Sequence, residues 1–275
     1  MLQNKNAVIY GAGGSLGGAV SKALASVGAR VFLTGRTLAS VQKVANEIIA
    51  AGGRAEVAQV DAFNEIAIND HLEKMVQQAG SVDISFNATA SKVVQNIPLT
   101  SMSVDDFITP LTLMTQTRFL TAIAAGKIMM QQQSGVILSL TATPGGIGYP
   151  YTGGFALACT AIETLAQNLG SELGVYCVRV VNIRSGGSPD SQVFKDAIEQ
   201  VPQEMEQVLT KMKADTMLKK MPLMQDIANV AVFLCSEMAA GITGVTVDVT
   251  CGTTAGLNYR VTAEREEKEG KVLEG

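Results

Sequence analysis

The sequence predicts an α/β protein with a single doubly wound parallel sheet, a Rossmann-type fold of three layers, α/β/α. Two observations predict this class. Short β-branched apolar runs alternate with amphipathic helical stretches along most of the 275 residues, and a glycine-rich turn joins the first strand to the first helix. Strands that are apolar on both faces need helices on both sides, and strand–helix alternation is typical of parallel sheets.

Seven apolar runs have the length and composition of buried strands. They span residues 7–10, 31–34, 55–60, 84–87, 136–140, 178–183 and 245–249. The intervening helices carry apolar residues at spacings of three and four, as in Val20, Ala23, Leu24 and Val27. The sequence has no internal repeat and no linker, so we expect residues 1–256 to form one domain.

Two stretches depart from the alternation. Residues 186–222 contain three prolines and four methionines, Met205, Met212, Met217 and Met221. This composition predicts a helical lid inserted after a strand, with methionines that pack in the core or under the lid. Residues 257–275 are charged and poor in apolar side chains, which predicts a solvated or partner-contacting extension, with a disordered tail as the alternative.

Composition excludes several classes of function. The net charge of −4 is spread along the chain, so we predict no nucleic-acid partner, and no apolar run is long enough for a membrane span. The four cysteines, Cys159, Cys177, Cys235 and Cys251, show neither close pairing nor metal-ligand spacing, so we expect reduced thiols, no metal and a cytoplasmic protein. The polar N-terminus leads almost at once into the first predicted strand, so we expect no signal peptide. The single histidine, His71, lies in a polar helical stretch and is predicted to be a surface residue.

The glycine-rich turn predicts a dinucleotide site. Glycines allow a pyrophosphate to approach the backbone, and the following helix offers N–H donors and the positive end of its dipole. The predicted contacts are Gly11, Gly13, Gly14, Ser15, Leu16 and Gly17. A tight turn without a ligand is the alternative.

The end of the second strand predicts which dinucleotide binds. An acidic residue there would bind the ribose 2′-hydroxyl and repel a 2′-phosphate, but Gly35 has no carboxylate. Arg36 offers a planar guanidinium suited to phosphate, beside Thr37. We therefore predict NADP(H), with NAD(H) as the alternative.

Several motifs, in this order and spacing, make the chain resemble the short-chain dehydrogenase/reductase family over nearly its whole length. Its glycine loop usually reads Thr-Gly-x-x-x-Gly-x-Gly; here Gly11 and Gly17 match, while Tyr10 and Ser15 replace the Thr and the middle Gly. The remaining matches are Asp61-Ala62 at the adenine-contacting aspartate, Asn87-Ala88-Thr89-Ala90 for Asn-Asn-Ala-Gly, Ser185-Gly186 for Pro-Gly, and the C-terminal segment 242–252. The resemblance implies that Asp61, Ala62, Asn87, Ala88, Thr89 and Gly186 contact the cofactor.

The family's catalytic residues do not carry over. Matching the helices and strands places Met114, Ala142, Phe155 and Cys159 at the positions of the family's Asn, Ser, Tyr and Lys. No tyrosine in the chain is followed four residues later by a lysine, so no local shift restores the pair. Phenylalanine has no proton to give and cysteine has no ammonium charge, so we expect the usual proton transfer to a carbonyl to be absent.

Two functions remain open. The first is an NADP(H)-dependent oxidoreductase with altered chemistry, which transfers hydride to or from a small apolar acceptor, with Tyr149, Tyr151, a nearby hydroxyl or water as proton donor. The second is an NADP(H)-binding or assembly protein without catalysis. Phe107, Ile108, Met114, Phe155 and the methionines of residues 186–222 suggest an apolar pocket, and the family resemblance implies a homotetramer or homodimer.

Overall fold

The computed structural model describes residues 1–256. Seven strands form one sheet in the order β3-β2-β1-β4-β5-β6-β7, and every neighbouring pair is parallel. The strands are β1 (Asn6–Tyr10), β2 (Arg30–Gly35), β3 (Arg54–Gln59), β4 (Ile84–Asn87), β5 (Gly135–Ala142), β6 (Val178–Ser185) and β7 (Val245–Val249). The order reverses direction between β1 and β4, which is where such sheets bind ligands.

Eight α-helices accompany the sheet within the described residues. They are α1 (Ser15–Ser26), α2 (Leu38–Ala50), α3 (Glu65–Ala79), α4 (Val104–Gln132), α5 (Gly154–Leu173), α6 (Gln192–Gln200), α7 (Pro202–Ala214) and α8 (Met224–Cys235). None of them is long and apolar enough to cross a membrane.

Two apolar cores cover the two faces of the sheet, because side chains alternate along each strand. On β1, Ala7 and Ile9 join the core formed with α1, α2 and α8. Val8 and Tyr10 join the opposite core, which α3, α4 and α5 complete. This arrangement confirms the predicted doubly wound, three-layer fold.

All seven predicted strands are present, and their ends agree with the prediction to within two residues. The largest differences are at β5 and β6, which run two residues past the predicted apolar runs. The two strands pair along their whole length, from Gly135 opposite Val178 to Ala142 opposite Ser185, so hydrogen bonding continues beyond the apolar segments. Helices α6 and α7 lie within residues 186–222, whereas the charged segment 257–275 lies outside the described residues.

One prediction about a single residue is wrong. His71 is half-buried on α3, and its ring meets the edge of Phe32 at 6.5 Å between ring centroids. Its Nε2 is buried without a hydrogen-bond partner in the described part of the chain. Burial therefore lowers the pKa of His71, and Lys74 acts in the same direction. The polar sequence around His71 predicted a solvent-exposed helix, but the His71 ring lies on the side of α3 that contacts Phe32 on β2.

Candidate active site

The glycine loop is a close-packed turn at the carboxyl end of β1. Gly11 has φ = +77°, and a Cβ there would lie 2.9 Å from backbone atoms of Ala88 and Thr89. At Gly17 a Cβ would lie 2.2 Å from the carbonyl oxygen of Gly11. Both positions therefore require glycine. Because α1 begins at Ser15, its first N–H groups are free of intrahelical partners and are available to an anion.

Residues predicted to hold the adenosine half lie at the ends of β2 and β3. Arg36 and Thr37 are exposed, and the amide of Gln59 fixes the Arg36 backbone by donating to its carbonyl oxygen over 3.0 Å. Asp61 is half-buried, and its Oδ1 accepts from the N–H of Phe63 at 3.1 Å. These bonds fix the backbone at Arg36 and the carboxylate of Asp61, and the two residues lie at the same edge of the sheet.

Asn87 ties the end of β4 to α4. Its Nδ2 donates to the carbonyl oxygen of Thr117 over 3.1 Å and to Thr121 Oγ1 over 2.9 Å, while its Oδ1 accepts from the N–H and hydroxyl of Thr89. Asn87 is buried and uses both ends of its amide in the protein. These hydrogen bonds hold the Ala88–Thr89 backbone in place.

The four positions matched to the family's catalytic residues meet in one apolar cluster. Met114 and Cys159 are buried together with Ala158 and Ile162, and Ala142 and Phe155 pack against them. They come from α4, the end of β5 and α5. The fold therefore brings together four residues that the sequence comparison grouped, and none of them carries an acid or a charge at neutral pH.

The Cys159 thiol is a poor nucleophile in this setting. It is fully buried, and burial raises its pKa to about 11, although a backbone hydrogen bond at Ala142 acts in the other direction. Thiolate is the reactive form, so Cys159 stays neutral and unreactive near neutral pH. Its side chain fills space where a lysine would place a charge.

Arg118 brings a buried positive charge next to this cluster, and the sequence analysis missed it. The residue is 4% exposed, and its Nη1 donates to Thr89 Oγ1 over 3.0 Å and to Thr117 Oγ1 over 3.2 Å. Burial lowers the pKa of Arg118 to about 10, so the guanidinium remains charged at neutral pH. A usable signal was present: Arg118 lies four residues after Met114, on the buried face of α4.

A second group that the sequence analysis missed is an ion-pair network beneath the β5–α5 loop. Arg184 on β6 pairs with Glu163 on α5 and, at 3.1 Å, with Asp248 on β7. Thr141 donates to Glu163 Oε1 over 2.9 Å. These bonds join the carboxyl ends of three strands to α5. The spacing of Glu163, four residues after Cys159, placed it on the same helical face.

A cavity of about 240 Å³ opens between the β5–α5 loop and residues 186–222. Its lining includes Thr143, Ile147, Tyr149, Gly186, Met212 and Met221. Met212 and Met221, two of the four methionines of residues 186–222, are among these lining residues. Phe107, Ile108, Met114 and Phe155 do not line this cavity. Met114 and Phe155 belong to the apolar cluster between α4 and α5, and Ile108 is 42% exposed.

The two candidate proton donors differ in position. Tyr149 lines the cavity, while Tyr151 is 57% exposed, is not part of the lining, and has φ = +60°. Nearby hydroxyls are mostly engaged: Ser139 donates to Asn182, and Thr141 to Glu163. Thr143 lines the cavity, with only a long 3.4 Å bond to the Ser185 carbonyl oxygen.

The other negative predictions concern metals and thiols. Within residues 1–256 no group of acidic, histidine or cysteine side chains is arranged to hold a metal ion. All four cysteines are free thiols.

Comparison with known proteins identifies the class. Residues 11–254 match the family model described as enoyl-(acyl carrier protein) reductase. The 2,3-dihydro-2,3-dihydroxybenzoate dehydrogenase of Bacillus subtilis is 27% identical over 93% of this chain and 98% of its own. The 7alpha-hydroxysteroid dehydrogenase of Escherichia coli K12 is 28% identical over 94% and 97%. A solved putative short-chain dehydrogenase/reductase from Burkholderia xenovorans superposes with a TM-score of 0.86 at 25% identity, over 94% and 99%.

The chain belongs to the short-chain dehydrogenase/reductase family. It is an oxidoreductase of that type, a class that uses NAD(P)(H).

Proposed function

We propose that this protein is an NADP(H)-dependent reductase that transfers hydride to a small, activated, apolar acceptor without the family's tyrosine acid. One observation carries the proposal. Met114, Ala142, Phe155 and Cys159 pack into a single apolar cluster, so these positions offer neither a proton nor a charge to a substrate oxygen. An acceptor that needs acid catalysis, such as a simple ketone, would react slowly there.

The residues present fit a dinucleotide at the carboxyl edge of the sheet. Gly11 to Gly17 and the start of α1 would hold the pyrophosphate, because the turn is too tight for any Cβ at two of its positions. Asp61 and Ala62 would face the adenine, and Arg36 with Thr37 the 2′-phosphate. Ala88, Thr89 and Gly186 would contact the nicotinamide half.

The cavity and the hydroxyl groups that line it indicate which class of acceptor the site would take. When bound, the reduced nicotinamide supplies a hydride. Alkenes conjugated to a carbonyl group and quinone-like rings accept hydride without prior protonation, because the electron pair is delocalised into an enolate or hydroquinone anion that is protonated afterwards. Hydride transfer to a simple ketone gives a far more basic alkoxide and therefore depends more on an acid. The cavity beside Met212 and Met221 suits such apolar molecules, and Tyr149, Thr143 or water would deliver the proton. The enoyl reductase description of the matching family model supports an activated alkene.

The test is NADPH binding by calorimetry, followed by a panel of enones, quinones and simple ketones monitored through NADPH absorbance. We expect NADPH binding and turnover of enones or quinones but not ketones. Gly14→Val is the variant that tests the loop, because a Cβ at Gly14 meets nothing closer than 3.4 Å within residues 1–256 and Gly14 is one of the predicted phosphate contacts. It should keep the melting temperature and lose NADPH binding.

Binding without turnover of any acceptor would favour the alternative, an NADP(H)-binding protein without catalysis. Efficient ketone reduction would contradict the proposed chemistry. If wild type does not bind NADPH, both the reductase function and the non-catalytic NADP(H)-binding function are wrong.

We also propose that residues 186–222 act as a lid and that the protein works in the cytoplasm.

We further propose that the protein forms a homodimer or homotetramer through α4 and α5. Phe119 and Leu157 support the last point, since these large apolar side chains on the two helices are 50% and 43% exposed. Light scattering that finds a monomer at micromolar concentration would contradict it.

A further inference from the structure

Arg118 is a buried cation without a compensating anion. Within residues 1–256 its guanidinium forms no ion pair, and its two hydrogen bonds, both from Nη1, go to neutral threonine hydroxyls. Its Nε is buried and has no hydrogen-bond partner in the part of the chain that the structure describes. A cavity of about 20 Å³ adjoins it, space for roughly one water molecule. A water there could satisfy Nε–H, but it would leave the positive charge uncompensated.

Stability alone does not explain such a residue. A buried charge without a partner is costly, and apolar side chains of similar volume often stabilise a fold by comparison. The same molecule shows the contrast: Arg184, also partly buried, lies between two carboxylates. Arg118 is therefore a candidate for a charge that is retained to act on a ligand.

The topology places Arg118 under the nicotinamide half of the proposed site. In parallel α/β sheets a dinucleotide spans the carboxyl edge, with its pyrophosphate at the first helix. Arg36 and Asp61, at the ends of β2 and β3, mark the adenosine side. The other half then lies over β4 and β5, where Thr89 follows β4. Arg118 donates to the Thr89 hydroxyl over 3.0 Å, so its guanidinium is held next to the segment that follows β4.

We propose that Arg118 makes this site discriminate between the oxidation states of its cofactor, so that it favours NADPH over NADP⁺. This inference rests on the proposed function. The nicotinamide ring is neutral when reduced and carries a positive charge when oxidised. A fixed, uncompensated cation nearby therefore repels the oxidised ring and leaves the reduced ring unaffected. The site therefore binds NADPH more tightly than NADP⁺ and releases NADP⁺ after hydride transfer, as a reductase requires.

The size of the effect follows from simple electrostatics. At an effective dielectric constant of about 20, two unit charges several ångströms apart interact strongly enough to change a binding constant about tenfold. Because the charge is buried, salt screens the interaction only weakly. The ratio of the two dissociation constants, Kd(NADP⁺)/Kd(NADPH), measures it directly.

The experiment determines that ratio by calorimetry for wild type, Arg118→Met and Arg118→Lys. We expect Arg118→Met to lower the ratio about tenfold, mainly by tightening NADP⁺ binding, while Arg118→Lys keeps it near the wild-type value. Thr117→Val is a further control, because it removes the other hydrogen bond to Arg118 but leaves the charge, and Thr117 is not among the proposed cofactor contacts. Its ratio should stay near that of wild type. Arg118→Gln replaces the methionine variant if the latter does not fold.

The outcomes separate this inference from the function beneath it. If wild type binds both cofactor forms but Arg118→Met leaves the ratio unchanged or weakens both forms equally, Arg118 is structural and the inference is wrong. If wild type binds neither form, the proposed function fails, and the inference fails with it.

Discussion

Ser15 Oγ accepts a hydrogen bond of 2.9 Å from the backbone N–H of Gln192, 177 residues further along the chain. Ser15 is the first residue of α1, and Gln192 is the first residue of α6. Two helix N-termini therefore meet at the phosphate loop, at a position where the family usually has glycine. The contact attaches residues 186–222 directly to the proposed cofactor site.

The first prediction concerns this contact. Ser15→Ala removes the acceptor and leaves the Gln192 N–H to water, which should cost about 1 kcal/mol of local stability. Hydrogen exchange in residues 192–200 should then rise about fivefold, with little change in the global melting temperature.

Ser191→Ala is the matched control for that variant. Ser191 precedes α6 but makes no side-chain capping bond, so its loss should leave exchange unchanged. Equal exchange in wild type and Ser15→Ala would show that α6 is held by other contacts.

The second prediction concerns cofactor preference. Arg36 is exposed, and its guanidinium makes no hydrogen bond or ion pair within residues 1–256, so it is free to bind a 2′-phosphate. Arg36→Ala should lower the preference for NADPH over NADH about tenfold, because a charge-assisted phosphate contact contributes roughly 1.5–3 kcal/mol. Calorimetric titration with both cofactors measures this. Arg54→Ala, at an exposed arginine at the start of β3, should have no effect.

Most of the fold could be predicted because its signals are local. A strand such as β1, covered on both faces, reads as a continuous apolar run, and a glycine such as Gly11 is required by the turn itself. The extra residues of β5 and β6 were not predictable in this way. Thr141 and Arg184 are polar, and they are held in strands by pairing between segments about 40 residues apart.

The site was predictable only where family motifs or spacing marked it. The order of the motifs grouped the four apolar positions, and the structure shows that they pack together. Arg118 was missed because an arginine on α4 suggests a solvent-exposed face, and its burial depends on how α4 packs against α5 and the sheet. His71 was misassigned for a related reason, since only the packing of α3 shows that its ring contacts Phe32.

The third prediction concerns the Glu163–Arg184 ion pair. Both side chains are largely buried, so Arg184→Met leaves Glu163 without its partner and should destabilise the fold by roughly 2–4 kcal/mol in urea unfolding. The double variant Arg184→Met/Glu163→Met removes both charges and should recover much of that loss.

Arg179→Met is the comparison variant for this ion pair. Arg179 lies on the same strand, and its hydrogen bonds of 3.4 and 3.2 Å go to the carbonyl oxygens of Ile242 and Ser236 rather than to carboxylates. Its loss should cost about 1 kcal/mol. A similar cost for both arginines would contradict the special role of the ion pair.

The fourth prediction is a pH dependence from His71. Its pKa is lowered in the folded state by burial, so the unfolded chain binds more protons between the two pKa values. The stabilising contribution is present above the ordinary pKa of 6.5 and is lost as pH falls below it. His71→Leu should reduce the fall in unfolding free energy between about pH 7 and about pH 5. An unchanged pH profile would show that the ring protonates freely in the folded protein.

The last prediction restores the missing chemistry. Phe155→Tyr and Cys159→Lys would place a hydroxyl and an ammonium one helical turn apart on α5, and Ala142→Ser would add a second donor at the end of β5. In this triple variant, however, the lysine introduced at position 159 would share a buried site with the guanidinium of Arg118. Like charges in such a place repel, so the triple variant should unfold more easily than wild type and reduce ketones poorly. Adding Arg118→Met should recover stability and give measurable ketone reduction with NADPH, provided that the cavity admits the ketone. Ketone turnover and urea unfolding of the triple and quadruple variants test this directly.

If wild type already reduces ketones and Phe155→Ala does not slow the reaction, the assignment of Phe155 to the tyrosine position is wrong. Tyr149→Phe then becomes the decisive variant, because Tyr149 lines the cavity and Tyr151 does not.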